Sequence, residues 1–272
     1  MTSVGHLETN YSVCRDLALQ AANANCRMLF LPECFSLLGD HHSVSIEKAE
    51  SLDGPAMARY TALAKELGIW LSLGGFQETG PDKDHIYNTH VIVSDKGEIV
   101  AKYRKIHLFN VDIPGGPMLL ESRFTAAGEE LVTCDAPVGR LGLTVCYDLR
   151  FPELYQKLRF EHGADILLIP SAFTKPTGEA HWEVLLRARA VECQCYVIAA
   201  AQAGKHNDKR ESYGHSMIID PWGAIVAKLE DPLATGIAVA DVDLGYVNRL
   251  RATMPIEGHR EMGLKALSGM RQ

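Results

Sequence analysis

The sequence predicts an α/β layered fold, with helices outside and buried strands inside. Apolar extended stretches alternate with helix-period stretches throughout the 272 residues, a pattern that belongs to layered α/β architectures. Many of the strands are apolar on both faces, as strands in a sheet covered on each side must be. There is also an internal echo, LFLPECF near residue 30 and LLIPSAF near residue 168. Both are apolar strands ending in proline and a small or polar residue. Two similar halves packed sheet to sheet would produce the echo, and so would chance likeness between buried strands.

Taken in order, residues 10–27 read as an amphipathic helix capped by Asn10, with Val13, Leu17, Leu19 and Ala22 as its apolar side. RMLFLPECF is a short buried strand stopped by Pro32, and it delivers Glu33 at its C-terminal end. Residues 43–67 form a loop and then a helix after Asp53-Gly54-Pro55, where the proline suits a first helical turn. IWLSLGGFQE, 69–78, is a second buried strand running into Gly74-Gly75. Residues 89–105 make a hairpin around Asp95-Lys96-Gly97. The stretch 106–130 has weak periodicity and carries Pro114, Gly115, Gly116, Pro117 and Gly128, so it reads as a long structured loop, a place where function concentrates.

In 138–155, Leu141, Leu143 and Val145 alternate along a strand, Cys146 sits at the turn, and Phe151-Pro152 opens a helix with Leu154 and Leu158. ADILLIPSAF (164–173) is another buried strand, HWEVLLRARAVECQ (181–194) a helix with a Glu183/Arg187 pair at i,i+4, and CYVIAAAQ a strand. SMIIDPWGAIVAKLE is a hairpin around Asp220-Pro221-Trp222-Gly223, and GIAVADVDL a last strand. From about 246 the tail is helical and then irregular. With no linker, repeat or low-complexity segment, one domain over 1–272 is expected.

Apolar residues make up 47% and charged residues 22%, ordinary for a globular enzyme, and a net charge of −7 gives nucleic acid or an anionic membrane nothing to bind. No apolar run reaches the roughly 20 residues of a membrane span. The first 25 residues carry neither a basic region nor an apolar core of a secretory signal. The seven cysteines (14, 26, 34, 134, 146, 193, 195) are odd in number, scattered and free of any C-x-x-C pair. That argues for a reducing, intracellular setting, cytoplasmic or organellar, rather than a disulfide framework. Cys193 and Cys195 are expected to be packing residues.

Three strands end in groups that are polar for mere packing: Glu33 after LFLP, Lys105 after AKYR and Cys146 after LGLTV. The C-terminal ends of strands in α/β sheets are where ligands bind. Separately, each has a plain alternative: a surface carboxylate, a solvated lysine beside Lys102 and Arg104, a small buried hydrophobe. Together they supply a base, a cation and a thiol, the minimum for acyl transfer through a thioester. A thiol beside helix N-terminal N–H groups is also expected to have a lowered pKa.

With those residues in view, the chain resembles the nitrilase superfamily, the carbon–nitrogen hydrolases. LFLPECF, YRKIHLF and LTVCYDLRFPELY carry the resemblance in that order, with GGF at 74–76 and GHSMIIDPWG at 214–223 beside them. It spans nearly the whole chain. It implies an αββα sandwich whose subunits associate as αββα–αββα, a homodimer or higher homo-oligomer. It implies a catalytic Glu33, Lys105 and Cys146, a second active-site carboxylate at Glu121 in LLESRF, and no metal or organic cofactor. Within the superfamily, CYDLRFPEL, SAFTKPTGEAHWEVLLRARAVE and AAAQAGKHNDKRESYGHSMIIDPWG resemble the deaminated-glutathione amidases. The ω-amidases that act on α-ketoglutaramate share much of CYDLRF, and N-carbamoyl-amine hydrolysis uses the same mechanism. The family also opens with an apolar strand ahead of Met-Thr-Ser, here the very start. Either that strand is absent or the chain as given is shortened, and an absent strand would expose a sheet edge.

The substrate expected is therefore a small amide bearing a carboxylate. A backbone N–H near Tyr147 would join Lys105 at the oxyanion. Arg150, four residues after Cys146 and expected on the first turn of the next helix, would either grip the carboxylate bidentately or pair with Glu153 or Asp148. Thr174, Lys175 and Thr177, in a loop to Gly178, would line the pocket. His181 and His215 read as structural hydrogen-bonders. Two other classes compete: a metal-dependent amidohydrolase, for which no H-x-H or H-E-x-x-H spacing exists, and a catalytically dead protein of the same fold, which an intact Glu33, Lys105 and Cys146 oppose.

Overall fold

The computed structural model describes residues 1–112 and 118–269; Pro114, Gly115, Gly116 and Pro117 of the expected loop lie outside them. The first half runs α1 (Leu7–Asn23), β1 (Met28–Leu31), a short α2 (His42–Glu47), α3 (Pro55–Leu67), β2 (Trp70–Thr79), β3 (Ile86–Val93) and β4 (Ile99–Arg104). The second runs β5 (Asn110–Asp112), β6 (Met118–Leu120), β7 (Thr133–Ala136), β8 (Gly139–Leu143), α4 (Pro152–Phe160), β9 (Ile166–Leu168), α5 (Lys175–Cys193) and β10 (Tyr196–Ala199). β11 (Ala203–Lys205), β12 (Glu211–Tyr213), β13 (Met217–Ile219), β14 (Ile225–Lys228), α6 (Leu244–Thr253) and α7 (Ile256–Gly269) complete it.

Two mixed sheets form, one ordered β1-β2-β3-β4 and one β14-β13-β10-β9-β8-β7. Alternation along β3 shows how they stack. Val91 and Val93 face α1 and α3, packing with Leu17, Ala21, Met57 and Leu63. Ile92, one residue out of phase, packs with Leu141, Ile166 and Val197 of the other sheet. Trp182, Leu186 and Tyr155 of α5 and α4 then close the far side. The result is helix, sheet, sheet, helix, and each fully buried Leu or Ile contributes about 1.5–3 kcal/mol.

The internal echo has a structural counterpart. β1–α3–β2 and β9–α5–β10 are each a parallel pair joined through a helix, and each leads into two antiparallel strands. In the second sheet β8 lies parallel to β9 on its other side. Among the described residues β1 has no such neighbour. A groove of about 600 Å³ runs along its free edge, with Met1 and residues 236–244 among its walls.

That groove explains one correction. GIAVADVDL is apolar and β-branched enough to read as a strand, but 236–243 pairs with no described strand, because the place a partner would occupy is the groove. Three other expectations shift. α1 starts at Leu7 behind His6, whose Nδ1 accepts the Thr9 N–H, and its buried stripe is Asn10, Cys14, Leu17, Ala18 and Ala21. Asn10 is therefore no cap. Its side chain bonds Val4 N, Val4 O and Ser36 O instead. The 106–130 segment contains a small hairpin, β5–β6, with a single 3-10 turn at Glu121–Arg123. The tail, expected to turn irregular, is helical from Leu244 to Thr253 and again to Gly269. The seven cysteines are free, and Cys193 and Cys195 are fully buried packing residues.

Candidate active site

Three chain segments converge at the C-terminal ends of β1, β4 and β8. Pro32 ends β1 and Glu33 follows, 4% exposed; Lys105 follows β4 at once, 2% exposed; Cys146 follows Val145 beyond β8, 9% exposed. Lys105 Nζ donates to Glu33 Oε1 (3.2 Å) and to both oxygens of Glu121 (3.1 and 2.9 Å). Glu121 Oε2 also accepts the Phe109 N–H at 2.6 Å. The cluster thus sets one buried cation against two carboxylates.

That charge balance governs protonation. Burial alone would raise the Glu33 carboxyl, but the Lys105 ammonium, the Cys146 thiol, Arg210 and Asn88 together hold it below the usual carboxylate range. Burial would strip the Lys105 proton, and Glu121 and Glu33 reverse this, so the ammonium is held firmly. Burial, then Glu33, push the Cys146 thiol well up, and Lys105 offsets only part. This corrects the expectation of an acidified thiol. A thiolate would put a third negative charge against one cation in a dry site, so the resting cysteine keeps its proton.

The turn at Cys146 is unusual backbone. Cys146 has φ +51° and opens a 3-10 turn, Cys146–Arg150, before α4. Its own N–H is taken by Pro170 O at 2.9 Å. The Tyr147 N–H has no partner among the described residues, and the Tyr147 ring packs edge-on against Phe109 and Phe151. Asp148 holds this turn to the lysine strand. Fully buried, it accepts from Tyr103 OH (2.7 Å), His107 Nδ1 (2.7 Å), His107 N (3.0 Å) and Val145 N (2.9 Å).

Arg150 ends the 3-10 turn rather than starting α4, since Phe151 is extended before Pro152. It forms no ion pair with Glu153 or Asp148. Its Nη2 lies 3.3 Å from His181 Nδ1, and its guanidinium sits 5.7 Å from the Tyr147 ring and 5.8 Å from Phe173. Thr174 and Lys175 are not in a loop: α5 begins at Lys175 because Pro176 suits its first turn, Thr174 precedes it, and Thr174 Oγ1 bonds Thr177 Oγ1 at 2.8 Å. Neither is hydrogen-bonded to the glutamate–lysine cluster. His215 stacks on Tyr213 and its carbonyl accepts from Trp182 Nε1, a structural role.

Two contributors escape a reading of the sequence. Asn88, on β3, donates from Nδ2 to Glu33 Oε1 at 2.9 Å, and its carbonyl accepts the Lys105 N–H at 2.9 Å. Its Oδ1 is buried with no partner. Gly75 makes room for this pair, because a β-carbon there would lie 2.8 Å from Asn88 Oδ1 and 3.1 Å from Glu33 Cα. Gln202 pins Glu33 from the other side, its Nε2 donating to the Glu33 carbonyl at 3.0 Å. Period-2 alternation places Asn88 on the inward side of β3 with His90 and Ile92, the one signal that could have found it. Among the described residues, no group of three or more His, Cys, Asp or Glu is arranged to hold a metal ion.

Residues 1–252 match the carbon-nitrogen hydrolase family. The chain is 51% identical to a deaminated glutathione amidase of Dictyostelium discoideum, covering 96% of this chain and 92% of that protein. It is 47% identical to a deaminated glutathione amidase of Homo sapiens, covering 97% and 81%. Its fold superposes on the crystal structure of the C. elegans NitFhit protein with a TM-score of 0.91 at 48% identity, covering 97% of this chain and 64% of that one.

Proposed function

The chain belongs to the carbon–nitrogen hydrolase family, and from that premise we propose that it is an amidase whose substrate is deaminated glutathione, cleaved through a thioester on Cys146. The substrate is supported by the two deaminated glutathione amidases, which it matches at 51% and 47% identity over nearly its whole length. The chemistry is supported by the protonated thiol facing an ionised, buried carboxylate.

In this reading the charge of the site is conserved at each step. Cys146 Sγ attacks the amide carbon while Glu33 takes the thiol proton, so the negative charge moves from the carboxylate to the new oxyanion. Lys105 Nζ and the unpartnered Tyr147 N–H meet it, donors of a kind worth about 3–4 kcal/mol each. The oxyanion collapses, the C–N bond breaks, and Glu33 hands its proton to the departing nitrogen. Glu33 then deprotonates a water that attacks the thioester carbonyl; the C–S bond breaks, and Glu33 returns the proton to the sulfur. Glu121 keeps Lys105 charged and aimed, and Asn88 fixes Glu33 Oε1, so that the other oxygen serves the thiol. The outer face of α5 exposes Val184 and Val191, with Trp222 exposed on the β13–β14 turn. These form an apolar patch suited to a second copy of the chain.

Turnover of deaminated glutathione, α-ketoglutaramate and an N-carbamoyl amine, measured side by side, tests the substrate. The proposal expects the first to have the highest kcat/KM, and a higher value for either of the others would overturn it.

A further inference from the structure

We propose that Arg210, at the tip of the β11–β12 hairpin, receives the carboxylate carried by the leaving half of the substrate, while Arg150 serves the acyl half. The inference rests on the substrate proposed above. Deaminated glutathione has its scissile amide in the middle: the acyl part ends in a 2-oxo acid and the departing dipeptide ends in a carboxylate. Each carboxylate drawn into a partly dry site needs a cation, since unpaired burial is costly.

Most cations of this chain near the site are already spoken for. Lys105 is held by two glutamates, Arg104 by Glu78 and Arg189 by Glu192. Arg150 and Arg210 both border the cluster, and neither meets a carboxylate among the described residues. Arg150 stands beside the nucleophile's turn, near Tyr147 and Phe173. Arg210 stands on the other flank. Its hairpin leaves the site wall directly after Gln202, which bonds the Glu33 carbonyl, and returns through Tyr213, whose N–H donates to Phe173 O. The tip is held in place: the Arg210 carbonyl accepts the His206 N–H at 2.9 Å, and the buried His206 ring is clamped between Ser3 O (2.8 Å) and Ser212 Oγ (2.7 Å). The positive charge of the exposed Arg210 lowers the proton affinity of the buried Glu33 and of the half-buried Cys34 beside it.

The mechanism says which half faces Arg210. Glu33 delivers the proton to the departing nitrogen, so the leaving group extends on the Glu33 side, the side from which the hairpin departs after Gln202. The reaction itself is unchanged: one C–N bond breaks, water supplies the new C–O bond, and the amine leaves neutral. Arg210 reads what is attached to that amine and takes no proton. It is a specificity residue, and it would separate a dipeptide-releasing amidase from one that releases only ammonia.

The test uses the full-length enzyme and two substrates that differ in one charge: deaminated glutathione and its analogue whose terminal carboxylate is a neutral carboxamide. Wild type is measured first, and if it fails to hydrolyse deaminated glutathione, the substrate reading falls. With that activity in hand, Arg210→Ala is expected to raise KM for the acid at least about tenfold, the weight of one charge-assisted bidentate contact, and to reduce the preference for acid over carboxamide to within about twofold. Arg210→Lys should keep part of that preference, and Arg150→Ala should leave it in place. The inference is overturned if Arg210→Ala retains the wild-type preference, or if it lowers kcat equally on both substrates. A melting temperature within a few degrees of wild type shows that a lost preference is not lost fold.

Discussion

Replacing Lys105 by alanine probes the charge balance on which the chemistry depends. In the native cluster one ammonium, 2% exposed, sits within 3.2 Å of three carboxylate oxygens. Removing it leaves Glu33 and Glu121 facing each other without a cation. Two consequences follow. The oxyanion loses its charged donor, which costs about a hundredfold to a thousandfold in kcat. The carboxylates lose their buried partner, worth about 3–5 kcal/mol if both stayed ionised; one of them escapes most of that by binding a proton. Since the proton must go to the more buried carboxyl, Glu33 rises from below to above the usual carboxylate range, and the base is blocked near neutral pH. Single-turnover rates on deaminated glutathione, measured against pH, separate the two effects. The expected variant is at least about a hundredfold slower, with its acid limb displaced upward. Lys105→Arg should also fail, because a broad planar guanidinium does not fit where a compact ammonium bridges three oxygens. A Lys105→Ala enzyme within about threefold of wild type, with an unmoved acid limb, would show that Lys105 neither stabilises the oxyanion nor holds Glu33 ionised.

In the wild type, kcat/KM should be flat from pH 5 to 8 and fall only as pH drops through the Glu33 carboxyl, which Lys105 holds below the usual carboxylate range, because protonation there removes the base; a limb near 6 would contradict this. Asn88→Ala removes a donor to an ionised carboxylate, a contact worth about 1.5–3 kcal/mol, and should lower kcat at least about tenfold while moving that acid limb upward; unchanged kcat with only a lower Tm would make Asn88 a packing residue. An alternating apolar strand fused ahead of Met1 should enter the groove beside β1, pair with its free edge and raise Tm by at least about 2 °C, as roughly a kcal/mol would in a chain this size; an unchanged Tm would mean the groove does not accept a strand.

The legible parts of this protein are those where one physical signal dominates. β1, β2 and β9 are apolar runs closed by proline or followed by glycine, and α3 opens at Gly54-Pro55, so their boundaries read to within a few residues. The strand ends then deliver Glu33, Lys105 and Cys146 to one place. Where signals compete, the reading slips. Residues 236–243 have strand composition but no partner among the described strands, and composition does not reveal whether a strand finds one. Arg150 is four residues from Cys146, but the intervening turn is 3-10, so helical spacing misplaces it. The turn after β8 suggests N–H groups that would acidify the Cys146 thiol, yet its own N–H is spent on Pro170, and burial beside Glu33 wins. Asn88 and Arg210 carry no motif of their own; only the packing of β3 and the fold of the β11–β12 hairpin bring them to Glu33.

If the acyl group passes through Cys146, rapid-quench mass spectrometry of the wild-type enzyme mixed with deaminated glutathione reads it directly. A transient mass increase equal to the 2-oxo acyl group is expected, confined to the peptide holding Cys146 and absent from Cys146→Ala, which should be folded and inactive. An unmodified Cys146 peptide throughout turnover, together with substantial activity in Cys146→Ala, would contradict it.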